Sequence, residues 1–280
     1  MSGFVDKLHA AARSNGSLLC VGLDPDPSLM PVDDAAAFSR AIVEATSDLV
    51  CAYKPNLGFF EALGRPGLEA LERTLDCIRE KAPNAVVIGD AKRGDVHRFY
   101  AKAMFETWGF DAATVNAWGG RDTIQPFLDY ADKGVLVWCR SSNPGARDFQ
   151  DLAVTPPYGG DTMPLFEWVA MQALAWNDAG NVGLVVGATY PDELRRVREL
   201  CPTLPILLPG VGAQQGALEA SLENGVDEHG GNLIVSASRS VLYASSDPSD
   251  YADAARREAE ALRDRINAVL AERGLTGARG

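Results

Sequence analysis

The sequence predicts an α/β protein folded as a single-domain (β/α)8 TIM barrel. Eight short apolar runs recur along the 280 residues, and segments with helical spacing separate them. Each run is too short for an ordinary helix and is nearly continuous, as expected for parallel strands buried on both faces. Eight strand–helix units favour a closed barrel over an open sheet. Because no change in composition marks a boundary, we expect residues 1–280 to form one domain.

The predicted strands are apolar runs of six to eight residues, rich in Val, Leu and Ile. In chain order they are Ser17–Asp24, Leu49–Lys54, Ala85–Asp90, Asp111–Asn116, Gly134–Arg140, Val182–Gly187, Leu204–Pro209 and Asn232–Ala237.

Helical spacing is clear after the second strand, where apolar residues recur at intervals of three or four positions. These residues are Leu68, Leu71, Leu75 and Ile78. We also expect an amphipathic helix over Gly3–Ala12 and a closing helix over Tyr251–Glu272. Another helix is predicted at Asp192–Leu200, because Pro191 suits a first helical turn. The irregular stretch Ser141–Asp161 is long enough to be a lid or a binding loop.

The net charge of −12 and the isoelectric point of about 4.7 restrict the possible partners. Nucleic acid and anionic membranes are disfavoured, because binding to phosphate polymers or lipid surfaces needs a basic surface. A small anionic ligand held by a few local cations is compatible with this charge.

Cysteine and histidine usage predicts a cytoplasmic protein without a metal site. The five cysteines are odd in number, widely spaced and mostly inside apolar stretches, as is typical of reduced, buried thiols. None of the three histidines stands at ligand spacing from another. No apolar run approaches the ~18 residues of a membrane span, and no apolar segment precedes a cleavage site.

Polar residues collect at the carboxyl ends of the predicted strands, where barrels of this class carry their chemistry. They are Asp24, Lys54, Asp90, Lys92, Asn116, Ser141, Ser142 and Arg239. Charged groups at these positions cost free energy unless they are paired or functional. Structural ion pairs around the barrel mouth could explain any one of them, but they explain the whole set poorly.

The third strand ends in a D-x-K-x-x-D pattern formed by Asp90, Lys92 and Asp95. If the chain is still extended there, Asp90 and Lys92 point to one side. Asp95 can approach the same ammonium group or that of a neighbouring chain. An ammonium group between two carboxylates stays protonated, so we expect Lys92 to act as an acid and not as a Schiff-base nucleophile.

Together with five further segments, this pattern resembles the orotidine 5′-phosphate decarboxylase family over roughly residues 4–270. The segments are GLD at 22–24, YKPN at 53–56, SNPG at 142–145, PGVGAQ at 209–214 and SRS at 238–240. The SNPGA segment and the long chain are similar to the longer-chain branch of the family. The resemblance implies a cofactor-independent enzyme that converts orotidine monophosphate to UMP and carbon dioxide in pyrimidine biosynthesis.

The resemblance also implies roles for the charged residues. Lys92 would stabilise the carbanion left at C6 and then protonate it. Asp90 would lie against the substrate carboxylate, where repulsion could be relieved as carbon dioxide leaves. Lys54 and Asp24 would complete the charged network and hold the ribose hydroxyls. Asp95 would reach the active site of a partner subunit, which implies a homodimer with shared sites.

We expect the phosphate to bind in the loops after the seventh and eighth strands, and the base to contact the loop after the fifth strand. The Gly-rich GVGAQQG loop, which contains Gly212, and Arg239 with Ser240 are candidates for phosphate binding. Gln214 is long enough to bridge phosphate and base. Ser142 resembles the family's contact to the pyrimidine ring.

The sequence departs from the family just after the D-x-K-x-x-D pattern. The family has a small residue or Thr about four places after the last Asp, where it touches the ribose of the partner's ligand. This chain has His97, Arg98, Phe99 and Tyr100 in that region. For Phe99 and Tyr100 we favour dimer-interface or helix packing, and for His97 a surface position at a helix start.

Two alternatives belong to other functional classes. A sugar-phosphate decarboxylase or aldolase of the same barrel group would share the D-x-K-x-x-D pattern but use a divalent metal. In those relatives the second strand ends in a carboxylate, whereas here it ends in Lys54. A regulatory barrel that only binds phosphate would not require Asp90, Lys92, Asp95 and Lys54 together.

Overall fold

The computed structural model describes residues 3–211 and 215–275, except for the side chains of residues 215–217. Its centre is a closed barrel of eight parallel strands, in which each strand pairs with its neighbours in chain order and the last pairs with the first. The strands are β1 Leu19–Leu23, β2 Ala52–Pro55, β3 Val86–Arg93, β4 Ala112–Val115, β5 Gly134–Arg140, β6 Val182–Val186, β7 Ile206–Pro209 and β8 Leu233–Ala237. The predicted fold class and all eight predicted strands are confirmed.

Helices connect the strands and surround the barrel. They are α1 Phe4–Asn15, α2 Ala35–Thr46, α3 Leu57–Ala62, α4 Gly64–Lys81, α5 Phe99–Lys102, α6 Arg121–Leu128, α7 Arg147–Gln150, α8 Leu165–Ala175, α9 Pro191–Leu200, α10 Gln215–Gly225, α11 Arg239–Leu242 and α12 Tyr251–Glu272. A π-helical segment, Ala103–Thr107, continues α5.

The predicted helices are present, with small differences at their ends. α12 begins and ends at the predicted residues, and α1 extends three residues beyond Ala12. In α4, Leu71, Leu75 and Ile78 are buried, whereas Leu68 is exposed. The apolar stripe therefore starts one turn later than the spacing predicts.

The predicted irregular stretch Ser141–Asp161 contains short elements of its own. A 3-10 turn at Pro144–Ala146 leads into α7, and Ala153–Val154 pairs antiparallel with Met163–Pro164. Because the stretch follows β5, these elements stand over the carboxyl end of the barrel.

The amino-terminal end of the barrel lies on the opposite side. Phe4 of α1 is buried there against Gly134, the first residue of β5. All five cysteines are buried, and none forms a disulfide bond. In the described part of the chain, no helix has both the length and the apolar composition that crossing a bilayer requires.

Candidate active site

A cavity of about 440 Å³ opens at the carboxyl ends of the barrel strands. Of the ten site residues predicted from the sequence, seven line it: Asp24, Lys54, Asp90, Lys92, Ser142, Arg239 and Ser240. Gly212 and Gln214 lie outside the described residues. The barrel thus brings side chains from five strand ends into one space.

Two lysines share one carboxylate inside this cavity. The Nζ atom of Lys54 lies 2.8 Å from Oδ2 of Asp90, and Nζ of Lys92 lies 2.6 Å from Oδ1. The hydroxyl of Thr114 donates a hydrogen bond of 2.9 Å to the same Oδ1. Lys54 and Asp90 are buried, whereas about a third of the Lys92 side chain is exposed. Lys92 is therefore the member of the network that is open to a ligand.

The two buried members of the network have shifted pKa values. Burial alone would raise the pKa of Asp90, but the ammonium groups of Lys54 and Lys92 hold it well below the ordinary aspartate range. Burial alone would lower the pKa of Lys54, but the carboxylates of Asp90 and Asp24 raise it above its ordinary value. Both groups are consequently charged at neutral pH.

Lys92 has an unusual backbone. Its φ of 48° lies in the left-handed region, which non-glycine residues rarely occupy. The pairing of β3 with β4 shifts register between Gly89 and Arg93, and the Thr114 hydroxyl accepts 3.0 Å hydrogen bonds from the backbone N–H groups of Ala91 and Lys92. The surrounding contacts hold this strained conformation, a feature that concentrates at functional sites.

Asp95 lies away from the network of its own chain. Its carboxylate accepts a hydrogen bond from the backbone N–H of Val96 and lies 3.2 Å from Nε2 of His97. Asp95 is absent from the cavity lining. Of the two sequence-based alternatives, an approach to the ammonium group of the same chain is wrong, because the Asp95 carboxylate contacts Val96 and His97 whereas Lys92 pairs with Asp90. Within the chain, one carboxylate lies between two ammonium groups, the reverse of the expected arrangement.

Asp24 follows β1 and lines the same cavity. One of its carboxylate oxygens, Oδ1, is buried without a hydrogen-bond partner among the described residues. The hydroxyl of Tyr243 donates a 2.6 Å hydrogen bond to the Asp24 carbonyl and fixes this turn. A buried acceptor without a donor is costly, so a ligand hydroxyl is well suited to this position.

The ends of β1 and β8 pack closely at Gly22. A Cβ atom there would lie 1.9 Å from the Ser238 hydroxyl and 3.1 Å from its Cβ, so a larger residue would force the Ser238 side chain to move. Immediately after Ser238, the exposed Arg239 begins α11 at the cavity wall. Arg239 has no ion pair with a carboxylate in residues 3–211 or 215–275, which leaves its guanidinium available for an anion.

Arg140 and Trp138 also line the cavity, although neither is among the site residues predicted from the sequence. Arg140 is the last residue of β5. It therefore shows the same pattern that identified the other site residues, a charged residue at the end of an apolar run. Trp138 lies on the same strand, and the Nζ atom of Lys92 is 5.8 Å from its ring centroid, within cation–π range.

A second cavity, of about 660 Å³, lies outside the barrel beside α8 and shares Trp138 as a wall. Its lining contains several aromatic residues, among them the exposed side chains of Trp118, Phe149 and Tyr158. The charged network lies entirely in the first cavity, which is therefore the candidate active site.

The residues of the first cavity suit chemistry on a small anion. Within the described ranges, no group of three or more His, Cys, Asp or Glu side chains is arranged to hold a metal ion. Lys92 combines a fixed ammonium group with access to the cavity, so it can stabilise negative charge that develops beside it and supply a proton.

Comparisons with known proteins agree with this geometry. A family model described as "Orotidine 5′-phosphate decarboxylase / HUMPS family" matches residues 17–255. Orotidine 5′-phosphate decarboxylase of Thermomicrobium roseum is 48% identical over 279 residues, covering 96% of each chain. The enzyme of the same name from Dehalococcoides mccartyi is 46% identical over 268 residues, covering 94% of this chain and 97% of the relative.

Solved structures give the same result. The structure of Leishmania donovani OMP decarboxylase superposes with a TM-score of 0.82 at 39% identity, covering 96% of this chain and 98% of that one. The resemblance inferred from the sequence motifs is confirmed: this chain belongs to the orotidine 5′-phosphate decarboxylase / HUMPS family.

Proposed function

We propose that this protein is an orotidine 5′-phosphate decarboxylase, a carboxy-lyase that forms UMP and carbon dioxide without a cofactor. The observation that carries the proposal is the Lys54–Asp90–Lys92 network, in which Lys92 faces a cavity that Arg239 also lines. The relatives that are 46–48% identical bear the name of this enzyme. In the cell, the reaction would complete UMP biosynthesis.

Lys92 is the proposed proton donor. When the C6–carboxylate bond breaks, its electron pair stays on C6 in the plane of the pyrimidine, where no π system can absorb it. The ammonium group of Lys92 stabilises this charge and transfers a proton to C6, so that UMP forms and the lysine is left neutral until water reprotonates it. The hydrogen bond to Asp90 fixes the position of Nζ before the substrate arrives.

Asp90 is proposed to lie beside the substrate carboxylate. Because its pKa is held low, Asp90 remains an anion at neutral pH and repels the carboxylate of the bound substrate. Loss of carbon dioxide relieves that repulsion, while the two lysines keep the negative charge of Asp90 compensated. Lys54 and Asp24 hold the ribose hydroxyls, and the unpartnered Oδ1 of Asp24 supplies an acceptor for one of them.

The phosphate is assigned to Arg239, Ser240 and the loop after β7, with Gly212 as a backbone contact and Gln214 as the bridge to the base. Ser142 is assigned to the pyrimidine. A guanidinium group suits a phosphate because it can donate two parallel hydrogen bonds. Binding energy from the phosphate end can be used to organise the charges around C6.

The active unit is proposed to be a cytoplasmic homodimer with shared active sites, each chain forming one catalytic domain over residues 1–280. Val96, Phe99, Tyr100 and Trp118 are exposed apolar residues on the segments after β3 and β4. These two segments touch, since Asp95 N donates to Thr123 O at 3.1 Å. Exposed apolar side chains near Asp95, such as Val96 and Phe99, are suited to burial by a second copy.

The metal-dependent alternative is disfavoured by the donor set. The position where a metal-binding relative needs a carboxylate holds the buried ammonium group of Lys54, which repels a divalent cation. A barrel that only binds phosphate is disfavoured, because phosphate binding does not require the Lys54–Asp90–Lys92 network.

An assay of orotidine monophosphate turnover distinguishes the decarboxylase from the metal-dependent enzyme and from the phosphate-binding barrel. We expect loss of the ultraviolet absorbance of the substrate and equal amounts of UMP and carbon dioxide, at the same rate with and without a chelator. Loss of activity on chelation would favour the metal-dependent class. Binding of UMP without any turnover of orotidine monophosphate would favour the binding module.

A further inference from the structure

Arg140 is a fully buried arginine at the end of β5, next to the segment that carries Ser142. It lines the same cavity as Lys92 but takes no part in the Lys54–Asp90–Lys92 network. Burying a guanidinium group costs free energy unless the group is paired, so the contacts of Arg140 indicate its role.

The guanidinium group connects two segments at the carboxyl end of the barrel. Its Nη1 atom lies 2.8 Å from Oδ1 of Asp151, in the segment after β5. Its Nη2 atom lies 3.4 Å from Oε1 of Glu193, in the first turn of α9 after β6. Between them, the Tyr190 ring stacks on the guanidinium with 4.5 Å from the ring centroid to Cζ. The segments after β5 and β6 are thereby tied to one side chain.

Gln150 extends this linkage to the serines of the segment. Its side-chain oxygen accepts hydrogen bonds from Nη1 of Arg140 at 3.3 Å and from the backbone N–H of Ser141 at 2.9 Å. Its amide nitrogen donates to the Ser141 hydroxyl at 3.2 Å. The backbone of Ser142 also packs directly against Gly187, where a Cβ atom would lie 2.7 Å from the Ser142 nitrogen. Ser142 thus lies between Ser141, which Gln150 binds, and Gly187.

A purely stabilising role fits Arg140 poorly. Its Nε atom is buried without an acceptor in the described part of the chain, which costs stability. Buried ion pairs contribute little net stability compared with apolar residues of similar volume. Asp151 and Glu193 are partly exposed, so each carboxylate can be solvated when the arginine is removed.

We infer that Arg140 is a positioning residue that acts through Gln150 and Ser141 to hold Ser142 against the pyrimidine of the bound nucleotide. This inference rests on the proposed function, because it takes Ser142 as the contact to the base. In this assignment Arg140 acts on the ligand through Ser142 and not by direct contact with the reacting atoms. Its removal therefore affects recognition of the base and leaves recognition of the ribose phosphate intact.

The test compares Arg140→Met with Arg147→Met as a matched control. Arg147 is the neighbouring exposed arginine, which lies 3.7 Å from Asp151 and 5.3 Å from the Tyr190 ring but does not line the cavity. The Kd values of UMP and ribose 5-phosphate are measured by calorimetry, together with kcat, KM and the melting temperature. For Arg140→Met we expect UMP to bind about tenfold more weakly, equivalent to a lost hydrogen bond, with ribose 5-phosphate unchanged. KM for orotidine monophosphate should rise by a similar factor, and Arg147→Met should match the wild type.

Gln150→Leu serves as a second variant, which keeps the buried arginine but removes the link to Ser141. It should show the same selective weakening of UMP binding, including when Arg140→Met fails to fold. Equal weakening of UMP and ribose 5-phosphate, or a lower melting temperature with unchanged UMP affinity, would overturn the inference. An inactive wild type removes the proposed function, and this inference with it. An active wild type with normal Arg140→Met and Gln150→Leu variants overturns only the positioning role.

Discussion

Lys92 reaches back to Asp90, two positions earlier on the same strand, with a distance of 2.6 Å between Nζ and Oδ1. The backbone at Lys92 is left-handed, with a φ of 48°, so the pair does not follow regular strand geometry. The bend gives the ammonium group contact with the carboxylate while part of the side chain remains open to the cavity.

Lys92→Ala is expected to abolish most decarboxylation while nucleotide binding persists. Loss of the proton donor and of its charge should lower kcat by about a thousandfold, within the range typical for general acids. Single-turnover rates with orotidine monophosphate and calorimetric titration with UMP separate the two effects. Lys102→Ala is the matched control, because Lys102 is an exposed lysine paired with Glu106 outside the cavity. Near-normal turnover by Lys92→Ala would refute the proton-donor assignment.

Asp90 should contribute to stability in a pH-dependent manner. Its pKa is lower in the folded protein than in the unfolded chain, so the contribution is present above the unfolded value of roughly 4 and is lost as pH falls toward the folded pKa. At pH 7, Asp90→Asn removes the carboxylate that binds the buried ammonium group of Lys54, and we expect a loss of about 3–5 kcal/mol in the free energy of unfolding. The difference between wild type and variant should shrink as the pH is lowered below roughly 4.

Urea unfolding at several pH values between 7 and 3 measures this difference. Asp76→Asn is a suitable control, because Asp76 forms an exposed ion pair with Arg79 on the surface of α4. A constant difference between the wild type and Asp90→Asn across this range would contradict the lowered pKa.

Arg239→Ala should weaken the binding of phosphorylated ligands. The guanidinium group has no carboxylate partner within residues 3–211 and 215–275 and lies at the cavity wall, so its removal leaves the fold unstrained. A bidentate contact between arginine and phosphate is worth roughly 1.5–3 kcal/mol, so KM should rise at least about tenfold. Uridine, which lacks the phosphate, should bind both proteins equally. Arg195→Ala provides an exposed control outside the cavity, and an unchanged KM for Arg239→Ala would exclude the phosphate role.

Arg198 offers a contrast to Arg140, since its buried guanidinium group serves stability. It donates to backbone carbonyls near the amino-terminal ends of β7 and β8, on the side of the barrel opposite the cavity. The acceptors are the carbonyl oxygens of Gly225, Cys201, Pro202, Leu204 and Asn232. Arg198→Met would leave several buried acceptors unpaired and should lower the free energy of unfolding by about 3 kcal/mol or more. Under conditions where the variant is folded, kcat and KM should match the wild type, and altered kinetics would contradict a purely structural role.

Much of the fold could be predicted from the sequence because the barrel strands are buried on both faces. The sequence of β6, for example, contains no polar residue, and its apolar run ends close to the end of the strand. The short pairing of Ala153–Val154 with Met163–Pro164 could not be predicted, because two-residue strands carry no periodicity. The sequence also predicted Leu68 as part of the buried apolar face of α4, but Leu68 is exposed. Helical spacing identifies the apolar face of a helix but does not show how far along the helix that face is covered.

The candidate site was predictable where charge interrupts an apolar strand, as at Lys54 and Asp90. The position of Asp95 was not, because it depends on a turn that directs the side chain to His97. Arg140 carried the same signal as Lys54, but a charge at a strand end does not reveal whether it faces a ligand or holds a neighbouring segment. That distinction requires the positions of Asp151, which follows an irregular segment, and of Glu193, which lies more than fifty residues further along the chain.

Shared active sites predict complementation between two inactive variants. If Asp95 acts in the site of a partner subunit, Asp95→Ala and Lys92→Ala each disable both sites of their own homodimers. A mixed dimer contains one complete site of its two, with Lys92 from one chain and Asp95 from the other, so isolated mixed dimers should recover up to about half of the wild-type activity. The outward position of Asp95 in its own chain is the structural reason for expecting this rescue.

The measurement refolds or co-expresses the two variants with different affinity tags, so that mixed dimers are isolated before assay. Mixing Lys54→Ala with Lys92→Ala provides the control, because both residues belong to the same network within one chain and no site in that hybrid is complete. Activity in the Asp95/Lys92 hybrid but not in the Lys54/Lys92 hybrid would place Asp95 across the interface. Demonstrably mixed dimers without activity would mean that Asp95 and its contact with His97 serve only the surface of their own chain.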